Sequence, residues 1–345
     1  MTRFTHTLPG RVPHPRRVRV LLVGLGPIGI AVGRALAARP DRTVVGAVDP
    51  APELVGRPLR DLLGEGVPAR LRVVPSLDHA PDSAEVAVHA AGSVLEHAVP
   101  AIEALLSLGL HVVSTCEPLF HPLPETRREF ERLDAWARKC GKVVVGGGVN
   151  PGFTLDVLPL TLASAMARVD RVEAMRVLDA RTRRRPLQRK VCVGEDPVLV
   201  RDLIKNRVAG HVGLLNSGSF LAESLGWPVN RAVREISPVV AERALRGPIP
   251  VRAGMTAGIE ESLRLYEGRV LRVSLKLVMA AGAAPAEDRV RLHGEPPLEL
   301  VVPGGIPGDQ GTVGQVVNLA GRVADEEPGL RSVADLALPR FPHIV

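Results

Sequence analysis

The chain has 345 residues, 46% of them apolar, which fits a globular protein of two ordinary domains rather than one small core. A formal charge of +7 is small for this length. With no zinc-finger spacing or aromatic RNA-binding motif, it argues against a nucleic-acid partner. The three cysteines, Cys116, Cys140 and Cys192, are odd in number and lack metal or redox spacing. Together with the absence of a long apolar stretch, they predict a soluble cytoplasmic protein with no metal site and no membrane partner.

Residues 1–17 carry Pro, His and Arg but no apolar signal-peptide core, and read as a loose leader. Val18 to Val23 is a short apolar run rich in β-branched residues, as expected of a buried parallel strand. A helix follows from Pro27 to Ala38, then a strand from Thr43 to Val48 ending at Asp49. Further strands fall at Ala84–His89, Leu110–Ser114 and Lys142–Val145. They alternate with helices at about Leu95–Leu108 and Glu125–Lys139, so 18–150 reads as a doubly wound parallel sheet. Beyond Asn150 the rhythm changes. Helices are expected over Thr154–Arg168, Pro197–Arg207 and Gly213–Leu225. Strands are expected over Arg171–Leu178, Val233–Val240, Val270–Met279, Arg289–Leu292 and Leu298–Val302. That pattern makes 151–308 an α+β domain with a mixed or antiparallel sheet, followed by a helix at about Gln310–Val323 in a terminal segment, 309–345.

The first candidate site is the loop Gly24-Leu25-Gly26-Pro27-Ile28-Gly29. Gly24 permits a tight turn after a strand, Gly26 lets backbone approach a pyrophosphate, and Gly29 allows close helix–strand contact. The helix that follows offers N–H groups and a positive dipole end to phosphates. Asp49, at the end of the second strand, would accept hydrogen bonds from a ribose and favour NAD. It also fits a plain strand-end cap, and Arg57 could instead meet the extra phosphate of NADP.

Ala91-Gly92-Ser93, after the next strand, suits a dinucleotide lying across the strand ends. It equally suits an ordinary turn with Ser93 as helix N-cap. Thr115-Cys116-Glu117 follows another strand and would reach the nicotinamide side of the crevice. Glu117 is its one carboxylate, and Cys116 is better read as a small buried filler than as a nucleophile. Gly146 to Phe153, with Asn150, joins the two domains as hinge and cofactor contact together. His211 sits between apolar neighbours, as either a structural or a pocket histidine. The basic run from Arg181 to Arg185 is either a solvated face or the lining of an anionic cleft.

In order along the chain, GLGPIG, VVGAVDP, HVVSTCE, GGGVNPGF, RRRPLQRK and GHVGL resemble the dihydrodipicolinate-reductase-like group that contains 2,4-diaminopentanoate dehydrogenase and the native amine dehydrogenases. The resemblance implies a Rossmann domain and a mixed-sheet dimerisation domain, with the C-terminal helix returning to the Rossmann domain. It implies a homodimer, with NAD or NADP as cofactor and an amine or carbonyl plus ammonia as substrates. It also implies that Glu117 is the essential carboxylate, with Phe153 and His211 shaping the pocket. The paired histidines and substrate loop of true dihydrodipicolinate reductases are absent here, and Pro118 replaces an acidic residue frequent in relatives. Two alternatives stay open: an imine or carbonyl reductase that does not use ammonia, and a dinucleotide-binding sensor without turnover.

Overall fold

The computed structural model describes residues 17–336 and Pro339. The expected leader, 1–17, therefore lies outside the described residues save for Arg17, as does nearly all of the tail beyond 336.

Seven strands form the first sheet, in a chain that begins β1 (Val18–Val23), α1 (Pro27–Ala37), β2 (Arg42–Val48), α2 (Leu59–Leu63) and β3 (Val73–Val74). It continues with β4 (Val86–His89), α3 (Leu95–Ser107), β5 (His111–Ser114), α4 (Arg127–Lys139) and β6 (Val143–Gly146). Successive side chains of β1 go to opposite faces, because a strand repeats every two residues. Val18, Val20 and Leu22 pack with Val32 and Leu36 of α1. Leu21 and Val23 pack on the other face with Ile102 and Leu105 of α3 and Leu133 of α4. Both faces being covered, the strands are apolar throughout, as the sequence requires of a parallel sheet.

The second half runs α5 (Val157–Ala163), β7 (Arg168–Asp179), α6 (Arg185–Lys190), α7 (Pro197–Lys205), α8 (Leu214–Ser224) and β8 (Arg231–Val240). Then come β9 (Thr256–Glu267), β10 (Val270–Ala280), β11 (Glu287–Glu295), β12 (Leu298–Pro303), α9 (Gly308–Ala320) and β13 (Gly329–Arg331). The second sheet has the order β12-β11-β7-β10-β9-β8. Its pairs are antiparallel except β7 with β10, so the expected mixed sheet is present. Helices cover one face, where Leu214, Phe220 and Leu221 of α8 meet Leu263, Leu265 and Leu275. The other face is polar and carries ion pairs such as Lys276–Glu260 at 2.8 Å and Arg291–Glu299 at 3.0 Å.

The chain then returns to the first sheet. Val316, Val317 and Leu319 of α9 join the core beside α1, and β13 pairs in parallel with β6. The first sheet is thus ordered β13-β6-β5-β4-β1-β2-β3, and every pair in it is parallel.

Several expected elements need correction. The helix expected over Thr154–Arg168 is only α5, Val157–Ala163. The Asp156 carboxylate caps it by accepting the Val157 N–H at 2.7 Å, and by Ala167 the backbone is already paired with Glu295. Strand β9 was not foreseen. Its alternation of Ile259, Leu263 and Leu265 is interrupted by Glu261, a charged residue in the buried phase. Helices α2 and α6 and the short strands β3 and β13 were likewise not foreseen.

Candidate active site

The order of the first sheet reverses between β1 and β4, and open α/β sheets bind ligands outside the carboxyl ends of the strands at such a point. Four segments meet there: the glycine loop after β1, the turn after β4, the turn after β5 and the crossing after β6. Together with α6, the start of α9 and the second sheet they enclose a cavity of about 300 Å³.

Each glycine of the first loop has a different reason to be glycine. Gly24 has φ +91°, and an added Cβ would stand 2.8 Å from the backbone of Ala90 and Ala91. A Cβ on Gly29 would lie 1.9 Å from the Gly24 carbonyl oxygen. A Cβ on Gly26 would meet nothing within 4 Å, and the same is true of Gly92 across the cavity. Gly26 and Gly92 thus leave a cradle that side chains would fill. No side chain caps α1, whose first-turn N–H groups remain available for an anion. These residues fit the phosphates of a dinucleotide.

Asp49 makes the contacts of a strand-end cap, one of its two expected uses. One carboxylate oxygen accepts the Leu25 N–H at 2.7 Å, the other the Ala51 N–H at 2.9 Å. The residue is buried and does not line the cavity. In this structure it clamps the glycine loop onto the end of β2. Pro27 and Ile28 line the cavity, as do Gly92 and Ser93, whereas Ala91 does not. Ser93 is not the N-cap of α3; Val94 holds that position without a side-chain cap.

Thr115, Cys116 and Glu117 all line the cavity. Their turn is fastened from beneath, where the Ser114 hydroxyl accepts the Cys116 N–H at 3.1 Å and bonds the His89 ring at 3.0 Å. Burial pushes the Cys116 thiol up to about 11, so it stays protonated and serves as packing. Burial also raises the pKa of Glu117, against the opposing pull of Lys190. One Glu117 carboxylate oxygen is buried without a hydrogen-bond partner. The Asn150 side-chain oxygen is in the same condition, and Asn150 too lines the cavity.

His211 lines the opposite wall with its Nδ1 buried and unpartnered. Burial, reinforced by the charges of Lys190, Arg234 and Arg176, pushes its pKa down to about 3, so the ring is neutral. Its backbone is held firmly: Glu261 accepts the His211 N–H at 3.1 Å, and Arg234 donates to the His211 carbonyl at 3.1 Å. Phe153 does not line the cavity. The aromatic there is Phe120, backed by Phe220 at a centroid distance of 5.0 Å. Leu178, Leu187, Val191, Leu277 and Met279 supply an apolar wall.

The basic run is divided by role. Arg183 and Arg184 face Asp309 on α9, at 2.8 and 3.5 Å, while Lys190 faces Glu117 at 3.8 Å. Arg176, from the helix-facing phase of β7, is fully buried and pairs with Asp288 at 3.1 Å and with the Ile306 carbonyl. Sequence reasoning missed Arg176, Lys190, Glu261 and Phe120. A charge falling in the apolar phase of a strand is the signal that marks Arg176 and Glu261.

Fold and cleft together define a Rossmann-type dehydrogenase scaffold, with a glycine cradle on one side and a half-apolar, half-charged chamber on the other. More particularly, the chain belongs to the family of the 2,4-diaminopentanoate dehydrogenase C-terminal domain, whose family model matches residues 153–342. This bears out the resemblance read from the sequence motifs. Over 340 residues the chain is 24% identical to a 2,4-diaminopentanoate dehydrogenase of Acetoanaerobium sticklandii, covering 94% of each. An amine dehydrogenase from Mycobacterium smegmatis has the same fold, with a TM-score of 0.81 at 22% identity; 95% of this chain and 98% of that one are covered. A scyllo-inositol dehydrogenase from Lactobacillus casei is more distant, with a TM-score of 0.54 at 13% identity over 89% of this chain and 87% of that one. Among the described residues, no helix is long and apolar enough to cross a membrane.

Proposed function

We propose that the chain is an NAD(P)-dependent amine dehydrogenase. It would interconvert an amine, water and oxidised cofactor with a carbonyl compound, ammonia, reduced cofactor and a proton. The observation that carries this reading is Glu117: a half-buried carboxylate, one of whose oxygens is buried without a hydrogen-bond partner, between a glycine cradle and an apolar wall. The names of the relatives above support the same chemistry.

Gly26, Gly92 and the start of α1 would hold the dinucleotide phosphates, and Asn150 offers an acceptor to the nicotinamide amide. The chemistry supplied by the bound cofactor is hydride transfer to or from the carbon that bears the nitrogen. Glu117 takes a proton from the substrate ammonium and frees the nitrogen lone pair that drives hydride departure. Once that proton has passed to solvent, the restored carboxylate offsets the iminium cation in a partly dry chamber, where a charge interacts more strongly than in water. It next accepts a proton from the water that adds to the iminium carbon, and it passes a proton to the departing nitrogen. A raised carboxyl pKa suits such shuttling better than an ordinary one. His211, neutral and backbone-clamped, presents Nδ1 as an acceptor that orients the nitrogen or the water. The apolar wall takes the rest of the amine.

A cytoplasmic homodimer, with NAD or NADP as cofactor, belongs to the same reading. The test is an amine panel with both cofactors, run with wild type and Glu117→Gln. Amine-dependent reduction of cofactor is expected in wild type, with ammonia required for the reverse reaction. Glu117→Gln should keep cofactor affinity and lose at least a hundredfold in turnover, the usual scale of an acid–base contribution. Undiminished turnover in that variant would sink the assignment, and carbonyl reduction indifferent to ammonia would favour the reductase alternative.

A further inference from the structure

Glu117 and Lys190 come from different halves of the chain and meet across the cavity, the one on the turn after β5, the other at the last residue of α6. Their nearest charged atoms are 3.8 Å apart, within ion-pair range but beyond a direct hydrogen bond, which leaves the Glu117 oxygen unpartnered. The Lys190 side chain is 43% exposed, that of Glu117 27%. The lysine therefore reaches in from the rim on a flexible stem, while the carboxylate sits on a short turn fastened through the Ser114 hydroxyl. Neighbouring cations are otherwise engaged: Arg183 and Arg184 with Asp309, Arg176 with Asp288. The other titratable groups close to the pair are the Cys116 thiol and the His211 ring, both uncharged.

We propose that Lys190 is the resident counter-ion of Glu117, a positioning residue that keeps the carboxylate ionised and turned to the cavity until the substrate's cationic nitrogen takes its place. The inference rests on the reading of Glu117 as the proton-handling group. A buried carboxylate without a cation drifts toward its neutral form, and a neutral acid neither attracts an ammonium nor takes its proton. A permanent, tightly hydrogen-bonded arginine would cure that but would also occupy the substrate's position. A loosely paired, half-exposed lysine holds the charge and can yield. The apolar neighbours Leu187 and Val191 bracket Lys190 in the chain and line the cavity, so the stem starts from a fixed wall.

The test uses the whole protein without cofactor, labelled with 13C at the glutamate carboxyl carbon. The resonance missing from Glu117→Gln identifies Glu117, and its titration is followed by NMR. In Lys190→Met it should move up by about one pH unit, as expected for loss of a close, partly exposed opposite charge. Lys190→Arg should restore it. Ammonium chloride should bring the Lys190→Met titration back toward wild type, where sodium chloride at equal ionic strength does not, because ammonium fills the vacated position. The acid limb of kcat/KM should shift with the NMR titration in the same variants. An unmoved Glu117 titration in Lys190→Met overturns the inference, and so does a shift that ammonium and sodium reverse alike. Full turnover in Glu117→Gln is a separate outcome: it removes the catalytic reading and leaves the measured coupling between the two side chains.

Discussion

Replacing Arg176 by methionine removes one member of a buried ion pair and leaves the other behind. The side chains of Arg176 and Asp288 are 1% and 0% exposed. Burial lowers the pKa of Arg176 and raises that of Asp288, each opposed by the charge of the other. With the guanidinium gone, Asp288 keeps only the Ile306 N–H, at 2.7 Å. The carboxylate must then stay charged and unpaired or take a proton. At pH 7 protonation of an ordinary aspartate costs about 4 kcal/mol, and at pH 5 about 1.5 kcal/mol. The first figure sits inside the range of about 3–5 kcal/mol seen when a buried pair loses one partner. Arg176→Met should therefore be destabilised by about 4 kcal/mol at pH 7 and clearly less at pH 5. Its Asp288 pKa is raised above the unfolded value, so the variant loses stability as pH climbs. Adding Asp288→Leu should recover all but about 1–2 kcal/mol, the remainder belonging to the orphaned Ile306 N–H. Denaturant unfolding at the two pH values, with both variants, measures this. A single variant as stable as wild type at pH 7, or a deficit that grows on acidification, would refute the account of the pair.

Asp49→Ala should weaken binding of NADH and NADPH alike, about tenfold or more, because the Leu25 N–H loses a charged acceptor. Fluorescence titration with both cofactors checks it, and a change only in their ratio would mean that the carboxylate reads the ribose rather than holding the loop. Gly26→Ala should fold with an unchanged Tm and bind dinucleotide poorly. Gly29→Ala should lower Tm by roughly 4 °C or more, since its Cβ has no room beside the Gly24 carbonyl. Asp156 is wholly buried, accepting from Gly152, Val157 and Ser217, with a pKa pushed up by burial to about 6. Its contribution to stability is whole below the ordinary value near 4 and falls by about 3 kcal/mol as pH rises through 6. Asp156→Asn should flatten the dependence of Tm on pH across that window, and an unaltered slope would contradict the assignment.

The first sheet was legible because its strands are short, apolar on both faces and punctuated by glycine, and its helices keep one apolar stripe. The glycine loop was legible for the same reason: its spacing has meaning only between a strand and a helix, and both are there. Asp49 was found by its distance from that loop, yet its partner was not, because the sequence does not say which way the Leu25 N–H turns. Strand β9 was hidden by Glu261, which occupies a core position in order to grip the backbone of His211. The tie between Lys190 and Glu117 was out of reach for a different cause. It depends on how two halves of the chain face each other, and no local pattern encodes that. Phe153 and Phe120 show the same limit, since the sequence marks an aromatic near the pocket without saying which one enters it.

The two halves are connected twice, once where β6 leads through Gly147 to Asn150 and once where Gly304 to Gly308 leads into α9. The two crossings touch, the Val149 N–H donating to the Thr312 hydroxyl at 3.3 Å. A body fastened at one point can swing in any direction. A body fastened at two adjoining points turns about the line between them, as a door turns on a pair of pins. Both pins lie beside the cavity, with Val149 and Thr312 in its lining. A turn about that line would act on the contacts that cross between the halves elsewhere, Phe120 with Phe220 and the His121 carbonyl with the Asn216 amide.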